Sequence, residues 1–154
     1  MKKLLFLLVL IGSLSACSNS DAERREADDL LIQNYLMDNG IDAEPIDDTG
    51  VYFRMTEEGD NTNYPVRNSV VRVFYKGYLS DGSVFDQRVE GENDYLESNL
   101  VNLVYGWQVG VPKISKGGTG QLFIPSHAGY GAVERPGIPK HSVLIFDIKL
   151  VNFF

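Results

Sequence analysis

Residues 74 to 86 read FYKGYLSDGSVFD, and their reading decides how the chain folds. They close a β-rich run that begins at Val70 and ends at Gly77, where Val and aromatic residues suit a pleated, half-buried surface. Ser80-Asp81-Gly82-Ser83 is a turn of the Asp-Gly kind, after which Val84-Phe85-Asp86 resumes the extended pattern. The spacing therefore predicts a hairpin over 70–86.

Working outward, Val51, Phe53 and Met55 alternate with polar or smaller neighbours, and Gln121–Ile124 and Ser142–Val151 supply two further strands. The last of these sets Val143, Ile145, Asp147 and Lys149 opposite Leu144, Phe146, Ile148 and Leu150. Gly106–Ile114 is expected to form a short helix with Trp107, Val111 and Ile114 on one side; Pro112 is tolerated only because the helix is one or two turns long. One short helix against antiparallel strands is an α+β arrangement.

Ahead of the strands, Ser20-Asp21-Ala22-Glu23 has the spacing of a capping box and predicts the start of a helix. Ala27, Leu30, Leu31 and Tyr35, with Ile32 and Leu36 beside them, recur at helical spacing and are expected to pack on the domain's own sheet. Gly40 is a left-handed stop, and residues 41–50 are a polar connection.

The first residues make a different signal. Lys2 and Lys3 precede an apolar run from Leu4 to Ile11, too short to span a bilayer, and Leu14-Ser15-Ala16-Cys17 resembles a lipobox. Residues 1–16 are read as a cleaved export signal and Cys17 as the acylated residue, which would place the chain as a membrane-anchored lipoprotein of a bacterial envelope. Residues 17–50 would then be tether and helix, and 51–154 the main domain. Cys17 is the single cysteine, so no intramolecular disulfide can form. His127 and His141 lie on separate segments and give no metal spacing. With a net charge of −7 the chain gains nothing from phosphate backbones, which argues against nucleic acid as a partner.

Four pieces in order, FYKGYLSDGSVFD, GWQVG, IPSHAGYG and PGIPKHSVLIFDI, resemble the signature of the FK506-binding-protein type of peptidyl-prolyl isomerase over about the last hundred residues. The resemblance implies a strongly curved antiparallel sheet wrapped around a short helix, with a proline pocket between them, and no cofactor. It assigns Tyr75, Phe85, Trp107 and Phe146 to the walls and floor of that pocket. Asp86 becomes the carboxylate beside the twisting amide, and Tyr130 the hydroxyl that bonds the substrate backbone. Leu103 and Val104 precede the helix, with the Val104 N–H donating to a substrate carbonyl, and Ile138 closes over the ligand. Tyr95, Leu96 or Ser98 fills the place of a further wall residue. Proline-containing polypeptides and macrolide-type ligands are the implied partners.

Such a pocket suits the chemistry. Rotation about an X-Pro bond meets a barrier of about 18 to 20 kcal/mol from amide resonance. A twisted amide is less polarised than a planar one, so a water-poor apolar cavity favours it without nucleophile, metal or proton transfer. A second reading is a binding module or chaperone subunit of the same fold with little isomerase activity. The helix followed by NGIDAEP is similar to lipoprotein immunophilins associated with gliding motility. The acidic residues Glu90, Glu92, Asp94 and Glu97 are expected to make the pocket rim negative and to disfavour acidic substrates.

Overall fold

The computed structural model describes residues 16–91 and 94–154. A long helix, α1 (Ala16–Asp38), leads into a two-residue strand, β1 (Glu44–Pro45), and a 3-10 turn at Asp47–Thr49. Strands β2 (Tyr52–Glu57), β3 (Val70–Tyr78), β4 (Val84–Arg88) and β5 (Leu96–Asn99) follow. A short helix α2 (Tyr105–Gly110) comes next, then β6 (Thr119–Ile124) and β7 (Leu144–Phe153). The strands form one sheet in the order β1-β2-β6-β7-β3-β4, with β5 also on β3, and every pairing is antiparallel.

The 70–86 segment forms the expected hairpin, but β3 does more than pair with β4. Its second half faces β4, its first half faces β5, and its other edge carries β7 along almost the whole length. Register shifts within β3 at Arg72/Val73 and Gly77/Tyr78, and in β2 at Met55/Glu57, break the flat ladder. Such irregularities bend strands and increase local twist.

The two faces of β7 build two cores. Leu144, Phe146, Ile148 and Leu150 point to the main core with Trp107, Val111, Ile114 and Leu122. Val143, just ahead of the strand, and Ile145 belong to a second cluster on the opposite face with Ile32, Leu36 and Phe123. Helix α2 lies close against β6 because Gly106 and Gly110 present no side chain there: a Cβ at either would run into Ile124 or Leu122. Pro112 sits in a 3-10 turn, Val111–Lys113, that continues α2 and needs no donor at its start.

Helix α1 differs from expectation at its start and in its buried face. It is already helical at Ala16, so Ser18 and Asn19 are part of the helix rather than a tether, and Ser20 is not its cap. Nothing between Ala16 and Ser20 is a helix breaker, and propagation onto such residues costs little once a turn exists. The residues against the sheet are Ile32, Tyr35 and Leu36, with Asp28 turned to Ser126, whereas Leu30 and Leu31 are 57% and 40% exposed. Two overlapping apolar sets were available, and the one carrying Ile32 and Leu36 meets Phe123, Val143 and Ile145. The helix ends as expected. Gly40 is left-handed at φ 60°, and its N–H and that of Ile41 donate to Met37 and Leu36 at 3.1 and 2.8 Å, the paired bonds of a Schellman stop. The connection 41–50 contains β1 and a 3-10 turn rather than featureless chain. Most of the export signal, residues 1–15, lies outside the described residues.

Candidate active site

One cavity of about 560 Å³ opens between α2 and the concave side of the sheet. Its floor is Trp107, only 3% exposed, held from below by the main core. The rings around it pack edge to face. Tyr75 and Phe146 lie 5.3 and 5.2 Å from the indole, and Phe85 lies 5.5 Å from Phe146, all at interplanar angles above 80°. Edge-to-face packing at these distances is a favourable aromatic geometry, so the walls are rigid as well as apolar.

Six segments supply the lining: β3 gives Tyr75, β4 gives Phe85 and Asp86, β5 gives Leu96, and β7 gives Phe146, while the segment around α2 gives Asn102, Leu103, Val104 and Trp107. The loop before β7 contributes Tyr130, Arg135, Pro136 and Ile138. Gly77, between Tyr75 and Phe85 in space, is required by the rings: a Cβ there would approach Phe85 to 2.5 Å and Phe146 to 2.7 Å. Gln108 steadies the entrance by donating from Nε2 to the Leu103 carbonyl at 2.9 Å. The tip of the closing loop is a Pro136-Gly137 turn in which Arg135 and Ile138 exchange backbone hydrogen bonds of 3.0 and 2.9 Å. Gly137 takes a φ of 75° there, the conformation a type II turn needs after its proline.

Polar side chains share the lining: Asp86, Asn102 and Arg135, with Tyr75 and Tyr130. The Tyr75 hydroxyl donates to Asp86 Oδ2 at 2.6 Å. Burial, and then the neighbouring Asp86 carboxylate, push the Tyr75 phenol above its ordinary value. The Arg135 guanidinium stacks 5.5 Å over the Tyr130 ring.

The residues singled out in the sequence thus come together, with one exception. Tyr95 does not line the cavity. It is 38% exposed and its ring meets Phe74 and the Arg72 guanidinium on the outside of the sheet. The wall position left open between residues 95, 96 and 98 is taken by Leu96, because β5 pairs Val73 with Leu96 and strand alternation sends Tyr95 to the other side. Asn102, Arg135 and Pro136 were not singled out; the first adjoins Leu103, and the others lie within ERPGIPK. The negative rim also needs correction. Glu90 is paired with Lys149 at 2.7 Å, Asp94 with Arg88 at 2.8 Å and Glu97 with Arg72 at 2.5 Å, and none of these three acids lines the cavity, while Glu92 lies outside the described residues.

Among the described residues no cluster of His, Cys, Asp and Glu could hold a metal. No helix among them is long and apolar enough to cross a membrane.

An aromatic-walled cavity lies between an antiparallel sheet with shifted registers and a short helix. The sequence pattern of FKBP-type peptidyl-prolyl cis-trans isomerases matches residues 61–151. The chain is 36% identical over 98 residues to FK506-binding protein 1 of Debaryomyces hansenii, a match over 62% of this chain and 88% of that protein. It is 36% identical over 104 residues to the FKBP-type peptidyl-prolyl cis-trans isomerase FkpA of Escherichia coli K12, which covers 68% of this chain but 38% of that protein. The crystal structure of FkpA from Escherichia coli superposes with a TM-score of 0.70 at 31% identity, over 88% of this chain and 62% of that one. A peptidyl-prolyl cis-trans isomerase structure from Pseudomonas syringae, 22% identical with a TM-score of 0.69, covers 92% of this chain and 98% of that one, and shares the fold. The chain belongs to the FKBP-type peptidyl-prolyl cis-trans isomerase family.

Proposed function

We propose that this protein accelerates X-Pro isomerisation in polypeptides folding in a bacterial envelope, with the cavity over Trp107 as its active site. The observation that carries the reading is the convergence of Tyr75, Phe85, Trp107 and Phe146 from four segments onto one space. The prolyl ring rests on the indole, the apolar walls exclude water from the amide, and the twisted state is favoured over the planar one. Tyr130 and the Val104 N–H bind the substrate backbone, and Ile138 closes over it. Asp86, already taking the Tyr75 hydroxyl, is a polarised neighbour rather than a proton carrier. Uncatalysed isomerisation takes tens of seconds or longer, slow enough to limit folding.

The envelope setting rests on Lys2-Lys3, the apolar run to Ile11 and Leu14-Ser15-Ala16-Cys17. Cys17 is the acylated residue in this reading, and at about 0.8 kcal/mol per buried methylene more than one acyl chain makes the anchoring stable.

A protease-coupled assay on short X-Pro peptides with residues 18–154 tests the activity. Turnover, with competition by a macrolide that mimics a twisted prolyl amide, is the expected result. A folded protein with neither property would be a binding module of the same fold. Labelled fatty acid should enter the wild-type chain in cells and fail to enter the Cys17→Ser variant.

A further inference from the structure

Asp28 is a buried acid with no part in the cavity. It sits on α1, only 2% exposed, and its Oδ2 accepts two hydrogen bonds from one distant residue, the Ser126 N–H at 2.9 Å and the Ser126 hydroxyl at 2.6 Å. A carboxylate taken out of water is costly unless such donors meet it. Ser126 is itself the root of the loop that forms one side of the cavity. Its carbonyl accepts from Gly129 and Gly131 at 3.0 and 2.8 Å, which fixes Tyr130 between them. The loop then continues through Val133 bonded to Tyr130, and His141 bonded to Gly131. The Arg135 guanidinium lies over the Tyr130 ring.

The remaining attachments of α1 go elsewhere. Ile32 and Leu36 pack on Phe123, Val143 and Ile145, and Asp29 accepts the Tyr52 hydroxyl of β2 at 2.8 Å. These hold the helix to the sheet. Asp28 instead bonds to the loop that carries a cavity residue.

We propose that Asp28 is a positioning residue: by clamping Ser126 it sets where Tyr130 stands in the cavity, and so couples α1 to the affinity for substrate. The proposal rests on the isomerase reading for its kinetic expression. Its structural expression can be read without turnover.

The experiment compares D28A, S126A, the double variant and L36A in the full-length chain. L36A serves as a control because it loosens the same helix at its other end. Steady-state kinetics on an X-Pro peptide, macrolide binding followed by Trp107 fluorescence, and amide exchange at Gly129 and Gly131 are measured together. D28A should raise KM and the macrolide Kd about two- to tenfold, the range one lost hydrogen bond spans, with kcat little changed and faster exchange at both glycines. S126A should act in the same direction and less strongly, since the backbone donor remains. The double variant should be no worse than D28A, the signature of one shared interaction. L36A should lower Tm while leaving KM, Kd and exchange at Gly129 and Gly131 unchanged. Equal changes in D28A and L36A, additive effects in the double variant, or unaltered exchange in D28A would each overturn the proposal. If D28A does not fold, S126A against L36A decides it. A wild-type chain that turns over no peptide would sink the isomerase reading, while exchange would still decide the role of Asp28.

Discussion

Tyr75 and Asp86 are joined across two strands by a 2.6 Å hydrogen bond although they are not register partners: Asp86 lies opposite Gly77, and Tyr75 opposite Arg88. The bond runs diagonally over a residue without a side chain, which lets the phenol lie flat toward Trp107 and leaves the carboxylate at the cavity wall. Removing Asp86 should therefore let the ring shift without opening the cavity to water. Asp86→Ala is expected to lower kcat/KM by about two- to tenfold, the effect of one hydrogen bond. Phe85→Ala, which floods the wall, should cost more than about tenfold, equivalent to 1.4 kcal/mol of barrier. A steady-state comparison of the two variants checks the order.

Alkaline pH should destabilise the fold through two tyrosines. Tyr75 and Tyr78 are both held above the ordinary phenol value, chiefly by burial and next by the Asp86 and Asp147 carboxylates. A raised folded pKa means that the contribution to stability is complete below the unfolded value of about 10 and is lost as pH rises through the folded one. Urea unfolding should give a flat stability from neutral to about pH 9.5 and a fall above about pH 10. The fall should be shallower in Tyr75→Phe.

Gly77→Ala tests how tightly the rings are packed. The added methyl would stand 2.5 Å from Phe85 and 2.7 Å from Phe146, so one of the rings must move. Overpacking of this kind costs about 1 to 3 kcal/mol. The variant should melt lower and lose both turnover and macrolide binding, with binding titration as the check that the cavity has closed.

Deleting α1 or truncating its buried face should weaken the whole domain. Ile32 is essentially buried against Phe123 and Ile145, and Ile→Ala at such a site costs about 2 to 5 kcal/mol. Leu30→Ala, on the exposed side, should be nearly neutral. Thermal unfolding of the two variants separates the buried face from the exposed one.

Substrate charge should follow Arg135 rather than the acids of the 88–97 segment. Of those acids Glu97, Asp94 and Glu90 are engaged by Arg72, Arg88 and Lys149, while the cavity wall carries the Arg135 guanidinium. Peptides with an acidic residue flanking proline should be accepted at low salt, and Arg135→Glu should reverse the preference. A KM series over peptide charge and ionic strength reads this directly.

The hairpin, the short helix and the cavity aromatics could all be read from the chain because turn chemistry and strand alternation are local, and because the spaced aromatic motifs resemble those of a known family. Tyr95 against Leu96 could not be settled that way. The segment from Arg88 to Leu100 lacks a clean alternation, and only pairing with β3 fixes which residue turns inward. The charged rim failed for a related reason, since Glu90, Asp94 and Glu97 each find a cation on another strand or across a turn. For α1 the sequence offered two apolar stripes one step apart, and the sheet chose between them. Asp28 carried no signal at all: an acid on a polar helix looks solvated until a serine ninety-eight residues away is placed beneath it.

Helix α1 begins at Ala16, yet among its described side chains the first buried one is Asp28, and the earliest that share a groove with the rest of the domain are Arg25 and Glu26. At about 1.5 Å per residue, the nine helical residues before Arg25 make a rod of about 13 Å, with exposed side chains from Ser20 onward. Whatever holds the chain at its start would therefore hold the cavity on a stilt rather than a string. A string lets its load sample every orientation and every height below its contour length. A stilt sets one stand-off distance and, because its foot is docked into the sheet, limits which way the cavity mouth can face. Reach would become a matter of lever length, adjustable one helical turn at a time, with each inserted residue also rotating the mouth by about 100° around the rod.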